Sequence, residues 1–343
     1  MFIMGFEGTS IQTDSPIAHS IQQDAIGGVL LFDYHYQTQC YIKNIQNPEQ
    51  VRQLNESLQD LNTQARLQHH QPPLPLIISV DYEGGQVNRL KEACGFPKTI
   101  SAVEASQMAH AEVVEAARTM AATLQQLGFN LDFTPVVDVN INPDNPIIGK
   151  LDRSFSSDPQ KVAEYAQIYV NAFAEHGVQC AYKHFPGHGS SLTDSHLGFV
   201  DVTETWQEEE LMPYELLLKE KNCSMIMTAH IVNRTLDPSG LPATLSHPIL
   251  TDILRKRLNY KGIIITDDMQ MKAIADHFSI EKAMTLAINA GADMLIFGNQ
   301  LSATPQDPKP LIDYIESQVI AGVISEHTID QAYERIVAFK HLL

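Results

Sequence analysis

The stretch that decides the fold runs from Val178 to Gly198 and reads V-Q-C-A-Y-K-H-F-P-G-H-G-S-S-L-T-D-S-H-L-G. Its first part is an apolar run of the kind that forms a buried strand. Its second part begins at Pro186 with turn residues, and it carries more His and Asp than a helix or strand needs. A strand that runs directly into such a loop is typical of a site for chemistry, and a polar surface loop is the alternative.

Seven other apolar runs of strand length are spread along the chain, separated by segments of helical periodicity. With the run above they are Met1–Phe6, Gly27–Phe32, Leu76–Asp81, Asn130–Val139, Val178–Phe185, Ser224–Ile231, Gly262–Met269 and Ala292–Gly298. They are apolar throughout, as parallel strands covered by helices are. The pattern predicts an α/β fold, a single (β/α)8 TIM-type barrel. An open doubly wound sheet is the alternative, but no glycine-rich dinucleotide fingerprint follows the first run.

The helical segments lie between these runs and after the last of them. They are predicted over Pro48–Leu67, Ala102–Leu127, Pro159–Glu175, Thr205–Lys221, His247–Leu258 and Ile280–Ala290, with closing helices over Pro310–Ile320 and Glu326–Leu343. Asp158 precedes Pro159 and is the expected N-cap of its helix. The sequence shows no internal repeat and no linker, so we expect residues 1–343 to form one barrel domain.

The composition of the 343-residue chain excludes several classes of protein. Its net charge of −18 argues against a nucleic-acid partner, because phosphate binding requires basic patches. The longest apolar runs have the length of strands, so no transmembrane helix and no membrane partner are expected. The four cysteines show no C-x-x-C spacing, which favours free thiols over a disulfide framework.

Polar residues follow the predicted strands one after another, at the rim where a parallel barrel carries its chemistry. They are Asp81, Glu83, Asp132, Asp138, Arg153, Lys183, His184, Asp194, His196, His230, Asn233, Arg234, Thr266, Asp267, Asp268 and Asn299. Each of them alone has a structural explanation. Random placement would not put polar groups at strand after strand on the same rim, so the sequence predicts an active site there.

Two features of this rim suggest a division of catalytic work. Asp267 follows an apolar strand, where a rigidly held carboxylate is a nucleophile, a base or a metal ligand. Asp194 and His196 are two residues apart in an extended loop, so their side chains point to the same side and the carboxylate orients the imidazole. A carboxylate nucleophile with a separate acid/base is the plan of a retaining glycosidase. Alternation along the strand predicts that the side chain of Asp268 points away from the cavity.

At these residues the sequence resembles a known family. K-H-F-P-G-H-G-x-x-x-x-D-S-H, at Lys183–His196, resembles the signature of the β-N-acetylglucosaminidases of glycoside hydrolase family 3, of the NagZ type. Val80–Val87 is similar to that family's V-D-x-E-G-G-x-V, and Asp152–Phe155 matches its R-S-F segment. Gly262–Met269 resembles its nucleophile strand, and the similarity covers nearly the whole chain in the right order.

The resemblance implies a retaining exo-β-N-acetylglucosaminidase, or β-hexosaminidase, which removes terminal N-acetylglucosamine from β-linked glycosides. Asp267 would be the nucleophile and His196 the general acid/base, tuned by Asp194. The residues that would hold the sugar are Asp81, Arg153, Lys183 and His184. The natural substrates of the type are peptidoglycan fragments (muropeptides) cleaved during cell-wall recycling, and it requires no metal or organic cofactor.

Two alternatives to this function stay open. An uncharged imidazole does not repel an incoming anion as a carboxylate would, so phosphate could replace water as the acceptor in a phosphorylase. The side chains of Lys183, His184, His230 and Asp267 also resemble the layout of metal-dependent barrel hydrolases, although the first predicted strand lacks their H-x-H pair. We expect a monomer in the bacterial cytoplasm, or a periplasmic or exported protein if a leader precedes Met1.

Overall fold

The computed structural model describes residues 1–35, 38–220, 222–301 and 305–343. Within these ranges eight parallel strands close into a barrel, in which each strand pairs with its neighbours in the sequence and the first pairs with the last. The strands are β1 (Phe2–Gly5), β2 (Gly28–Leu30), β3 (Ile77–Val80), β4 (Leu131–Asp132), β5 (Gln179–Phe185), β6 (Met225–Thr228), β7 (Ile263–Asp268) and β8 (Met294–Phe297). The predicted (β/α)8 barrel is confirmed.

The helices surround the barrel and pack on its outer face. They are α1 (Pro16–Gln22), α2 (Pro48–Gln68), α3 (Ala102–Ser106), α4 (His110–Leu127), α5 (Pro159–Glu175), α6 (Met212–Glu220), α7 (Lys272–Ala275), α8 (Ile280–Ala290), α9 (Pro308–Ile320) and α10 (Glu326–Lys340). The expected cap of α5 is confirmed, because the Asp158 side chain accepts the N–H of Gln160 at 2.9 Å. None of the described helices is long and apolar enough to cross a membrane.

Alternate residues of each strand point into the barrel and fill it with a separate apolar layer. On β7 the inward series runs through Ile263 and Ile265, both buried against Met227 and Ile296 of the neighbouring strands. Ile264 lies on the opposite face and packs with the helices. This layer closes the barrel from below, so side chains one step further along the strands stand at the bottom of an open cup.

Several element boundaries differ from the predicted ones, each with a local reason. The predicted strand Asn130–Val139 is regular only over β4, because Pro135 has no N–H to give to a ladder. The predicted helix Ala102–Leu127 is broken between α3 and α4, where Glu112 caps the N–H of Ala109 at 3.0 Å. The segment 247–258 forms a π-helix at Pro248–Arg257.

Some elements were missed or begin later than predicted. Residues 205–220 form a 3₁₀ turn at Glu208–Leu211 followed by α6, and Lys221 lies outside the described residues. The short helix α1 was not predicted. Neither were two hairpins on the carboxyl-terminal side of the barrel, Tyr34–His35 with Cys40–Tyr41 and Tyr82–Gly84 with Val87–Asn88. The second of these carries the V-D-x-E-G-G-x-V segment into the site.

Candidate active site

A cavity of about 290 Å³ opens at the carboxyl ends of the strands. Its floor is apolar and consists of the top of the barrel layer, with Leu30, Phe133, Met227 and Ile296. Its walls hold every side chain that the sequence predicted for the site, namely Asp81, Arg153, Lys183, His184, Asp194, His196 and Asp267. A polar cup with an apolar floor admits the end of a polar molecule and holds it against fixed charges.

Asp267 stands at the end of β7, where the strand has an irregular register. The pairing with β8 shifts between Ile265 and Asp268, and the N–H of Ile296 donates to the hydroxyl of Thr266 at 3.1 Å instead of a backbone carbonyl. Burial raises the pKa of Asp267. The positive charges of His230, His184 and His196 in their protonated forms lower it by more, so the net pKa is lowered. The carboxylate is therefore ionised at neutral pH, as a nucleophile has to be.

The prediction for Asp268 was wrong, because this residue also lines the cavity. The register shift interrupts the alternation along β7, so the neighbour of Asp267 is not turned out of the site. Its carboxylate accepts the N–H groups of Gln270 and Gly298, at 3.0 and 3.1 Å. Burial raises the pKa of Asp268 to about 6, which separates the two neighbouring carboxyl groups in their titration.

The loop after β5 brings Asp194 and His196 together as the spacing predicted. The Nδ1–H of His196 and its backbone N–H both donate to Asp194 Oδ1, each at 2.8 Å. Burial lowers the pKa of His196, but the hydrogen bond to Asp194 and the charge of Asp267 outweigh it, and the net pKa is raised. The ring is bound through Nδ1, so Nε2 is the atom that remains for a ligand.

Lys183 and Arg153 share one buried carboxylate, that of Glu83. Lys183 Nζ lies 2.6 Å from Glu83 Oε1 and 2.9 Å from Asp81 Oδ1. Arg153 donates to Glu83 through Nε and Nη2, both at 2.7 Å. Burial raises the pKa of Glu83, but the two cations lower it far more, so this carboxylate stays ionised. Glu83 therefore neutralises Lys183 and Arg153, the two cations that the family resemblance assigned to substrate binding.

The chain of contacts continues from Arg153 to His184 and Asp138. Arg153 Nη2 lies 3.5 Å from Nε2 of His184, whose Nδ1 lies 2.7 Å from Asp138 Oδ2. Because a guanidinium can only donate, Nε2 of His184 accepts and Nδ1 carries the hydrogen for Asp138. Arg153 Nη1 donates to the carbonyl of Ile147 at 2.8 Å, which leaves one of its N–H hydrogens without a partner among the described residues.

Comparison with known proteins agrees with this architecture. The family described as glycosyl hydrolase family 3 N terminal domain matches residues 5–339. The chain belongs to glycosyl hydrolase family 3.

Two relatives that are named beta-hexosaminidases align with most of the chain. Over 297 residues the chain is 35% identical to beta-hexosaminidase A of Pseudoalteromonas piscicida, an alignment that covers 82% of this chain and 47% of that protein. It is 32% identical over 327 residues to a beta-hexosaminidase of Alkalilimnicola ehrlichii, covering 91% of this chain and 86% of that protein. The chain therefore spans about half of the first relative and most of the second.

A solved structure of family 3 superposes on nearly the whole chain. It is a glycoside hydrolase family 3 beta-N-acetylglucosaminidase from Paenibacillus sp. strain FPU-7, with a TM-score of 0.86 and 31% identity. The superposition covers 99% of this chain and 61% of that protein. The barrel described above is thus the shared part of the two chains.

The structure adds Arg89 to the residues of this family 3 site. The hairpin after β3 turns the chain back, so the N–H of Arg89 donates to the Asp81 carbonyl at 3.1 Å and its side chain lines the cavity. Its guanidinium lies 5.7 Å from the centre of the Phe32 ring and 3.7 Å from Asp33. Sequence reasoning missed this arginine because it searched strand ends, and Arg89 lies beyond a hairpin that was not predicted.

His230, a candidate from the rim, does not line the cavity but supports the end of β7. Its Nε2 lies 2.9 Å from the backbone oxygen of Asp268, and its Nδ1 lies 2.7 Å from the hydroxyl of Thr244. Burial lowers the pKa of His230, which keeps the ring neutral. Both ring nitrogens have a partner, so this residue holds the backbone beside Asp267 and is poorly placed to exchange protons with a substrate.

The hydrogen-bond partners of the histidine ring nitrogens also decide whether this site can bind a metal ion. Both nitrogens of His184 and of His230 have hydrogen-bond partners, and Lys183 lies between the carboxylates of Asp81 and Glu83. In the described part of the chain, no group of three or more His, Cys, Asp or Glu side chains is arranged to hold a metal ion. The donor set of this family 3 site therefore does not fit the layout of a metal-dependent barrel hydrolase.

Proposed function

We propose that the protein is a retaining exo-β-N-acetylglucosaminidase. The single observation that carries this proposal is that an ionised carboxylate, Asp267, and a carboxylate-bound imidazole, His196, line the same cavity. These are the nucleophile and the acid/base of a retaining glycosidase. The apolar floor supports the exo mode, because a cup closed from below admits the end of a sugar chain and not its middle.

In the first step the carboxylate of Asp267 attacks the anomeric carbon of a β-linked sugar. The imidazolium of His196 gives its Nε2 proton to the glycosidic oxygen, the bond to the aglycone breaks, and a covalent glycosyl ester forms. In the second step neutral His196 takes a proton from water, which attacks the anomeric carbon and releases Asp267. Two inversions retain the configuration.

The raised pKa of His196 serves the first of these steps. The hydrogen bond to Asp194 favours the charged ring, so a larger fraction of the enzyme carries the proton that the leaving group needs. Asp267 supports the same state from across the cavity, and this support disappears when the ester forms and the carboxylate loses its charge. We infer that His196 becomes a better base in the second step for that reason.

The sugar would be held by Asp81, Arg153, Lys183 and His184. Lys183 uses two of its three ammonium hydrogens on Asp81 and Glu83, which leaves one for a sugar hydroxyl. Arg153 has one N–H left on Nη1, and Asp81 is only partly buried, so its carboxylate can accept from hydroxyl groups. Because Glu83 fixes both cations before the sugar arrives, they need no rearrangement to bind it.

The preference for N-acetylglucosamine rests on the motif at Lys183–His196 and on the names of the relatives. Peptidoglycan fragments are the natural substrates we propose, with cleavage by a monomer in the bacterial cytoplasm. A phosphorylase is the second candidate, supported by the half-exposed imidazole of His196, which would not repel phosphate.

The test of the proposal is turnover of p-nitrophenyl N-acetyl-β-glucosaminide, with and without phosphate. A hydrolase releases N-acetylglucosamine at a rate that does not depend on phosphate, and a phosphorylase forms the sugar 1-phosphate. Full turnover by Asp267→Ala, or no turnover by the native protein, would contradict the proposed function.

A further inference from the structure

The loop after β5 consists of an anchored half, residues 186–191, and an exposed half, residues 192–198. In the anchored half, the N–H groups of Gly189 and Ser190 donate to the buried carboxylate of Glu210 at 3.0 and 3.3 Å. Asn145 donates to the carbonyl of His188 at 2.7 Å. A Cβ on Gly189 would lie 1.7 Å from the carbonyl oxygen of Val139, so only glycine permits this close packing. The anchored half is therefore fixed to the barrel.

The exposed half carries the Asp194–His196 pair and has few contacts of that kind. Leu192 and Leu197 are 67% and 73% exposed, and the His196 side chain is 47% exposed. Ser195 is the exception, since it is only 2% exposed although it lies between Asp194 and His196. The exposed half thus returns to the protein at one buried serine, next to both members of the acid/base pair.

Ser195 is held at this point by both its side chain and its backbone. Its hydroxyl lies 3.2 Å from Nε2 of His188, and its carbonyl accepts the N–H of Ala273, in α7, at 3.3 Å. His188 is itself fixed, because its backbone N–H donates to Asp138 at 2.8 Å and its Nδ1 lies 2.6 Å from the hydroxyl of Ser191. Ser195 is thereby connected through His188 to the anchored half.

The imidazole of His188 is suited to this contact because it is neutral. Burial and the nearby ring of His184 lower the pKa of His188 to about 4. A neutral imidazole has one N–H donor and one acceptor, and it lies between two hydroxyl groups that can each donate or accept. Either tautomer satisfies the row Ser191–His188–Ser195, so the contact needs no buried charge.

We infer that Ser195 and His188 form a latch that holds the acid/base pair at the mouth of the cavity. Both are positioning residues, and the inference rests on the proposed roles of Asp267 and His196. Because Asp194 binds the ring and the backbone N–H of His196, the pair moves as one unit about Ser195. Loss of the latch leaves the pair chemically intact but no longer aimed at the glycosidic oxygen, and small displacements of that kind are costly in rate.

The latch is tested with Ser195→Ala, measured over a series of aryl N-acetylglucosaminides with leaving groups of increasing pKa. Activated phenolates leave without protonation, so their kcat/KM, which reports the first step, should stay close to the native value. Poor leaving groups should lose about tenfold or more in kcat/KM, the range expected for one lost hydrogen bond at a catalytic position. His188→Phe should behave in the same way, and Ser191→Ala should show a smaller loss.

A second readout separates positioning from general damage. Azide attacks the glycosyl ester without needing a general base, so it should accelerate turnover of an activated substrate by Ser195→Ala and yield the glycosyl azide. Ser195→Thr and His188→Gln keep a hydrogen-bonding group and should recover part of the loss. Thr193→Ala removes an exposed hydroxyl two residues away and should match the native protein in both readouts.

The outcomes distinguish the latch from the function on which it rests. The reference is His196→Ala, which should show both the leaving-group dependence and the azide effect in full. If His196→Ala shows them and Ser195→Ala behaves like Thr193→Ala, or loses rate equally on all substrates with no azide effect, the latch is wrong and the proposed function stands. If His196→Ala shows neither effect, the acid/base assignment is wrong and the latch falls with it.

Discussion

Arg153 holds Glu83 by two parallel hydrogen bonds of 2.7 Å, Nε to Oε2 and Nη2 to Oε1, and both side chains are buried. With Lys183 on the same carboxylate, this pair is the electrostatic centre of the cavity wall. It also means that Glu83 is unavailable as a proton donor, because two cations keep it ionised. The acid of the proposed mechanism therefore has to be another group, and we propose His196 for that role.

Glu83→Gln should therefore damage stability as well as binding. It leaves two buried cations without their shared anion, and breaking a buried ion pair from one side costs about 3–5 kcal/mol in the free energy of unfolding. Urea denaturation at neutral pH measures this loss. Glu334→Gln, which removes an exposed carboxylate, is the control and should change stability far less. Equal stabilities of the two variants would refute the central role of Glu83.

The stabilisation by Glu83 should depend on pH with a definite sign. The pKa of Glu83 is lower in the folded protein than in the unfolded chain, so the stabilisation is fully present above the unfolded-state pKa of about 4.3. It should be lost progressively as the pH falls below that value, and Glu83→Gln should unfold with a shallower acid dependence than the native protein. Parallel acid-dependence curves would argue against this assignment.

Much of the site was readable from the sequence because strand ends in a parallel barrel meet at one rim. The apolar runs placed Asp267 and Lys183 there, and two-residue spacing paired Asp194 with His196. Glu83 was among the polar residues predicted for the rim, but its ion pairs with Lys183 and Arg153 could not be predicted. They depend on the direction in which the hairpin after β3 turns back toward the cavity. Asp268 was misplaced for a similar reason, since no sequence pattern marks the register shift in β7.

The register shift predicts a structural role for the hydroxyl of Thr266, the residue before Asp267. Thr266→Val keeps the shape of the side chain but leaves the buried N–H of Ile296 without its acceptor, a loss of about 1–3 kcal/mol in stability. Because the same contact shapes the strand end, kcat should also fall. Thr266→Ser keeps the hydroxyl and should stay close to the native protein in both measurements. Equal effects of the two substitutions would contradict this role.

Asp194→Asn should move the alkaline limb of the pH profile of kcat/KM toward lower pH. The acid step needs protonated His196, so activity declines as the pH rises through the pKa of this ring. Asp194 raises that pKa, and its neutral amide no longer would. Asp201→Asn, an exposed change near the end of the same loop, should leave the limb in place. A shift toward higher pH, or none, would mean that Asp194 does not tune His196.

The protein should discriminate strongly between the 2-acetamido sugar and glucose. A site that hydrogen-bonds the acetamido group leaves buried polar groups unpaired when glucose binds, which costs on the order of 10⁴ in kcat/KM. The comparison is between the p-nitrophenyl β-glycosides of the two sugars under identical conditions. Similar kcat/KM values would remove the N-acetyl specificity from the proposed function.

The central claim is that Asp267 forms a covalent bond to the sugar, and trapping the ester tests it most directly. A 5-fluoro-N-acetylglucosaminyl fluoride slows both steps but keeps an activated leaving group, so the ester should accumulate without help from the acid. Peptide mass spectrometry of the inactivated protein should place one sugar on Asp267. A sugar on Asp268 or on any other residue, or turnover to the α-anomer without an adduct, would contradict the claim.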